Sequence, residues 1–306
     1  MWRGSCAVLL AAFVPAVGAC SHDWDKLEPN GRASVDASVG GQAGSSGSSG
    51  SGGGAGVGGV GGVGGAGGVD GGAGTGGVPA TCTDKTMVPL SAGLTKPFCI
   101  DRTEVTNTEY EAFLSPSPDP SSQPANCSWN TDFTPSNGWP PAAGTAGYPV
   151  AFVDWCDATA YCAHVGKRLC GRIGGGAVPF SSPADPAISE WFNACSGGGS
   201  LAYPYGDTYS GNACNGTDFG ANGPTTAGST PGCEGAPKGL FDMSGNLFEW
   251  EDSCSDNLGA NSNCRIRGGA YNNNAANLRC DIDATATRDS ATVTIGFRCC
   301  TDAVVN

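Results

Sequence analysis

Sixteen cysteines in a chain of 306 residues limit what it can fold into more than any other feature. Cys6 and Cys20 fall in an N-terminal stretch that reads as a leader, which leaves fourteen, an even number, for the remainder. The leader reading rests on Arg3 near the start, an apolar run from Ala7 to Val17 and small residues before Cys20. The run is too short to span a bilayer. In an exported chain an even set of cysteines is expected to pair throughout, each bridge contributing roughly 2–4 kcal/mol. Cross-links of that strength support a domain with short elements, long loops and a modest core. Zinc is the poorer alternative, because no paired C-x-x-C knuckles occur and of the two histidines, His22 and His164, only His164 falls beyond the leader and tether.

Val17-Gly18-Ala19-Cys20 has the form of a bacterial lipobox, with Cys20 as the lipidated first residue of the mature chain; an ordinary signal peptide cut nearby is the alternative. Residues 21–80 are dominated by Gly, Ser and Ala and carry too few large apolar side chains to fold. They are expected to form a tether, and about 40 Gly-rich residues have an r.m.s. span on the order of 35 Å. Its glycine repeats are not a phosphate loop, since no Lys-Ser/Thr pair follows. That leaves 81–306 as one folded domain, exported and held at a membrane through a lipid anchor only, at the bacterial cell surface or in the periplasm. From Thr81 onward the chain has 23 acidic and 12 basic residues, a balance of −11, which disfavours nucleic acid and anionic headgroups.

Within that domain, Phe98 to Asp101 has the alternation of a strand. Thr106 and Glu109 have capping-box spacing ahead of a helix over 107–114. Asp154 is placed to cap a second helix, whose apolar face is Ala158, Tyr161, Cys162 and Val165, ended by Gly166. Asp185, with Pro186 at the first position, is expected to cap a third, with Ile188, Trp191, Phe192 and Cys195 as its buried stripe. Trp155, Trp191 and Trp250 are expected in the core. Glycines at 239, 245, 268, 269 and 296 punctuate the last quarter at intervals suited to tight turns. The fold class is therefore α+β, irregular and loop-rich.

Those last residues also carry a resemblance. GLFDMSGNLFEW (239–250), RIRGGAY (265–271) and GFRCC (296–300), together with FCIDRTEVTNTEYEAF (98–113) and PVAFVDWCDATAYCAHVGKRL (149–169), resemble the formylglycine-generating enzyme, or sulfatase-modifying factor, family. The resemblance covers most of Thr81 to Thr301 and implies a variant of the C-type-lectin-like fold. It departs after Leu169, where CGRIGGGAVPF replaces the family's P-T-E-A-E-W-E. It implies bridges between Cys162 and Cys299 and between Cys195 and Cys280. Cys214 with Cys233, Cys254 with Cys264 and Cys82 with Cys99 are suggested as further pairs, with Cys127, Cys156, Cys170 and Cys300 unassigned.

In that family a reduced cysteine pair binds copper and converts a substrate cysteine to formylglycine, and soft thiolates suit Cu(I). The corresponding interval here, Asn272 to Arg279, has no cysteine, so copper is not expected. A lone His164 supports neither a histidine–iron site nor a Ser-His-Asp triad. The resemblance further implies calcium held by Asp242, Gly245, Leu247 and Glu249, side chains from the first and last and carbonyls from the middle two. Asp242 capping a turn and Glu249 as a solvated loop acid is the alternative. A second family site would include Asn215 and Gly216. The Asn272, Asn273, Asn274 and Asn277 amides line the place where the family holds substrate, and either bind a peptide or glycan or satisfy loop backbone. The expected function is a calcium-stabilised binding module. The rival is an active oxidoreductase whose thiolates have moved to Cys170 and Cys300; a structural domain that only decorates the surface is a third reading.

Overall fold

The computed structural model describes residues 80–305. The expected leader, Cys20 and the tether over 21–80 lie outside the described residues, apart from Ala80. Ala80 already belongs to strand β1 (Ala80–Thr81), which pairs with β10 (Val304–Val305) and so brings the two ends of the described chain together.

Two four-stranded sheets follow from short alternating segments. One has the order β2 (Met87–Leu90), β3 (Phe98–Asp101), β9 (Cys299–Asp302) and β4 (Arg168–Leu169). The other has the order β7 (Ala284–Thr287), β6 (Asn263–Arg267), β5 (Phe248–Cys254) and β8 (Ile295–Gly296), with β8 parallel to β5. Strand β9 connects the start of the domain to its end, pairing Cys99 with Thr301 and Ile100 with Cys300. Because successive strand residues face opposite sides, Cys299 enters one core with Tyr110, Trp155, Tyr161, Trp250 and Phe297. Cys300 enters the other, with Phe98, Ile100, Trp191, Leu240 and Met243. Trp155, Trp191 and Trp250 are all buried.

Three helices pack on these sheets. α1 (Asn107–Leu114) has the full capping box from Thr106 and Glu109, and α2 (Trp155–His164) has another from Asp154 and Asp157. Val165, expected on the buried face of α2, is instead its exposed C-cap, 40% accessible. α3 (Glu190–Ser196) starts a turn later than expected and is capped by Ser189, whose hydroxyl accepts from the Phe192 amide at 3.0 Å. Asp185 instead closes the turn before it, accepting from the Ala187 amide at 2.9 Å. Ser189 wins because its hydroxyl donates to Glu251 Oε1 at 2.5 Å, which fixes the cap. Every residue of α3 is buried, so no amphipathic stripe exists.

All fourteen described cysteines are paired. The bridges are Cys82–Cys99, Cys127–Cys156, Cys162–Cys299, Cys170–Cys300, Cys195–Cys280, Cys214–Cys233 and Cys254–Cys264. The four cysteines without a sequence-derived partner thus form two pairs, Cys127 with Cys156 on α2, and Cys170 with Cys300.

Candidate functional site

The glycine-punctuated loops converge on one buried polar centre. Gly245 adopts φ +76°, and a Cβ there would lie 2.4 Å from the Asn215 carbonyl oxygen, so only glycine lets the two chains touch. Gly268, at φ +82°, presses against Trp191 and the Met243 carbonyl in the same way. Backbone bonds lock these turns together: Gly245 N–H to Gly268 O at 2.9 Å, Asn246 N–H to Asn215 O at 2.8 Å and Tyr271 N–H to Asn246 O at 2.9 Å. Asn246 itself, at φ +61°, accepts through Oδ1 from the Thr225 amide and from the Asn215 amide group. Sequence reading passed over Asn246. Its place between the Gly245 turn and a strand was the available signal.

Next to these turns lie three buried carboxyl groups and one guanidinium. Arg298 donates to both oxygens of Glu249, at 2.7 and 2.6 Å, and the Trp191 indole donates to the same carboxylate at 2.7 Å. Arg298 also binds the Asp101 and Phe241 carbonyls at 3.0 and 2.9 Å. Glu249 is therefore not a solvated loop acid: both of its oxygens are engaged by Arg298. Asp242 is also buried; it accepts from the Gly228 amide at 2.6 Å, and burial, with Glu249 adding to it, pushes its pKa up to about 6 against the pull of Gly228 and Arg298.

The third carboxyl group, Glu104, was missed. It belongs to the opening motif, is 1% accessible, and neither oxygen has a hydrogen-bond partner. Burial first, and the nearby Asp242 and Glu249 second, hold its pKa well above the ordinary range. Arg298 is bonded to Glu249, and although its charge also favours the ionised forms of Glu104 and Asp242, it donates a hydrogen bond to neither. Protonation alone leaves the Glu104 oxygens unpartnered, whereas a hard cation would engage them directly. Glu104 and Asp242 are hard oxygen donors of the kind a calcium ion takes. Asn215 offers a second such observation: its Oδ1 is buried and unpartnered, while its amide group donates to Gly223 O at 3.0 Å. Among the described residues, however, no group of three or more His, Cys, Asp or Glu side chains is arranged to hold a metal.

The interval where the family's thiolates would stand is closed by asparagine. Asn273 accepts from the Ala270 amide at 2.8 Å, and Asn274 caps a 3-10 turn, Ala275–Leu278, by accepting from Ala276. These two amides serve the backbone. Asn272 and Asn277 make no side-chain hydrogen bond among the described residues, and Asn272 is exposed. The rival thiolates are corrected here: Cys170 and Cys300 are bonded to each other and fully buried. His164 ends α2 exposed, its ring edge-on to Phe113 at 5.2 Å.

Comparison with known proteins agrees with the motifs. A family model described as the sulfatase-modifying factor enzyme 1-like domain matches residues 68–303. The inactive C-alpha-formylglycine-generating enzyme 2 of Bos taurus is 31% identical over 176 residues, 51% of this chain and 51% of that protein. The serine/threonine-protein kinase pkn1 of Chlamydia pneumoniae is 30% identical over 175 residues, 51% of this chain and 24% of the kinase. The formylglycine-generating enzyme of Streptomyces coelicolor is 24% identical over 267 residues, 68% of this chain and 79% of that enzyme. The match therefore spans about half of the first of these relatives and about a quarter of the second. Among solved structures, PvdO from Pseudomonas aeruginosa is similar with a TM-score of 0.49 and 22% identity, covering 69% of this chain and 82% of that one. With one family model running over residues 68–303 of 306, the chain belongs to the sulfatase-modifying factor enzyme 1-like family, whose relatives include formylglycine-generating enzyme.

Proposed function

We propose that this protein is a non-catalytic binding module on the formylglycine-generating-enzyme fold, exported and tethered through Cys20, that takes a peptide or glycan beside Asn272 and Asn277. The observation that carries the reading is the absence of a free thiol among the described residues: the interval 272–279 has no cysteine, and the fourteen described cysteines are consumed in bridges. Without a thiolate pair the chain has no soft ligands for Cu(I) and no means to activate oxygen at that position. The name of the bovine relative, an inactive formylglycine-generating enzyme, supports the same reading.

Calcium is part of the proposal as a structural ion. It would supply positive charge to Glu104 and Asp242, and at a second position to the Asn215 oxygen. Its effect would be to fix the 215, 242 and 268 turns on which the Asn272–Asn277 segment rests.

The test pairs two measurements. Purified protein is incubated with a cysteine-containing sulfatase-type peptide, copper and oxygen, and the product is read by mass spectrometry; the expected result is an unmodified cysteine, and formylglycine formation would overturn the reading. In parallel, peptide and glycan arrays are probed with the native chain and with Asn272→Ala/Asn277→Ala. Specific binding lost in the variant is expected, and an empty array would favour a structural role instead.

A further inference from the structure

A second site lies in the segment where this chain departs from its family's pattern. Arg172, Ile173, Gly174 and Gly175 line a cavity of about 360 Å³ together with Thr95, Lys96 and Ala187. The turn is closed by Arg172 N–H to Gly176 O at 2.7 Å and Gly175 N–H to Arg172 O at 2.8 Å. Three successive glycines, 174 to 176, hold φ values of 85°, 95° and 86°, which L side chains rarely adopt. Glycine at 174 is called for by its φ of +85°, and the Lys96 side chain lies against it. A Cβ there would fall 2.4 Å from Lys96 Cδ and 2.9 Å from its Nζ. The lysine stem therefore rests on the bare Gly174 backbone, and its ammonium is laid across the turn toward the cavity that Arg172 shares.

Charge makes this arrangement informative. Acidic residues outnumber basic ones 23 to 12 from Thr81 onward. Six of the basic residues, Lys167, Arg168, Lys238, Arg265, Arg267 and Arg279, reach a carboxylate in an ion pair, as does Arg298 with Glu249. Five do not among the described residues, Lys85, Lys96, Arg102, Arg172 and Arg288, and of these Lys96 and Arg172 line one cavity, to which no Asp or Glu contributes. Gly174 also lines it, and its amide donates no hydrogen bond among the described residues. A guanidinium fork, an ammonium and a spare amide form the donor set that recognises a tetrahedral oxyanion.

We propose that Lys96, Arg172 and the Gly174 turn form a binding site for a phosphate or sulfate group. The cavity has room for the oxyanion and part of a molecule that bears it. This inference is independent of the binding role assigned to Asn272 and Asn277.

The test is calorimetric titration of the purified chain with inorganic phosphate, inorganic sulfate and their phenyl esters, at constant ionic strength set with sodium chloride. Saturable binding is expected, weakened by about tenfold or more in both Lys96→Gln and Arg172→Gln, as for loss of one charge-assisted contact. Gly174→Ala keeps both charges but displaces the lysine, so it is expected to weaken binding as well; nonspecific attraction to positive charge would leave it unaffected. Esters binding more tightly than the free ions would identify an ester-bearing ligand, and equal binding would identify the free anion. Absence of saturable binding up to about 50 mM at that fixed ionic strength overturns the site. So would variants that bind like the native chain. The glutamine variants change exposed side chains, so loss of the fold does not obscure the outcome.

Discussion

Replacing Glu104 with methionine tests the buried carboxyl centre through a change of sign. In calcium-free buffer containing chelator, the native carboxyl group is buried with both oxygens unpartnered beside Asp242. A buried polar group without a partner costs about 1–3 kcal/mol, and an apolar side chain of similar length removes that cost. Glu104→Met is therefore expected to unfold at higher denaturant than the native chain by about 1–3 kcal/mol. With calcium at a hundred times its Kd, the native chain gains about 2.7 kcal/mol by linkage, and the variant, lacking a ligand, gains much less. The order of stability then reverses. The assay is urea unfolding followed by tryptophan fluorescence, with disulfides intact, in chelator and in calcium. Two results refute the reasoning. One is a variant less stable than native in chelator; the other is calcium stabilising both chains equally or neither.

Four further outcomes follow from the same structure. Arg298→Met strips the guanidinium from a fully buried pair, leaving Glu249 with the Trp191 indole alone; a loss of about 3–5 kcal/mol is expected in urea melts. Gly245→Ala forces a Cβ to 2.4 Å from the Asn215 carbonyl at φ +76°, so a loss of about 2–4 kcal/mol and a lowered Tm are expected. Asp252 is raised to about 6, first by burial and then by Glu251, so its contribution is fully present below the unfolded value near 4 and is lost as pH rises through 6. Between pH 4 and 7 this amounts to about 1–2 kcal/mol after allowance for partial exposure, and Asp252→Asn should flatten that slope in pH-dependent melts. Alkylation without reductant, followed by peptide mapping, should find no free thiol among residues 80–305, and removing Cys162–Cys299 by double serine substitution should cost about 2–5 kcal/mol.

Much of the fold was legible because local chemistry marks it. The Thr106–Glu109 box and the Asp154 cap announce α1 and α2 through spacing alone, and the glycine-punctuated motifs announce turns with left-handed backbone, as at Gly245 and Gly268. The third helix was misplaced because two residues competed for its cap. Asp185 next to Pro186 is the stronger local signal, yet Ser189 prevails through Glu251, which is 62 residues away. The same reason hid the surroundings of Glu249: nothing local to its loop motif shows that Arg298, 49 residues later, lies on both of its oxygens.

The sequence by itself determined the number of thiols, the absence of a cysteine between Tyr271 and Cys280, the acidic balance, and the motifs by which the family is recognised. These are properties of composition and order, and folding does not alter them. Only the tertiary structure decided which thiols remain reactive and which carboxyl groups have a hydrogen-bond partner. Cys170 and Cys300 are 130 residues apart in the chain and meet because β4 pairs with β9. Glu104 is left without a partner because the neighbouring Glu249 has already taken Arg298. Pairing and desolvation are relations between distant residues, so they exist only after the chain has closed on itself.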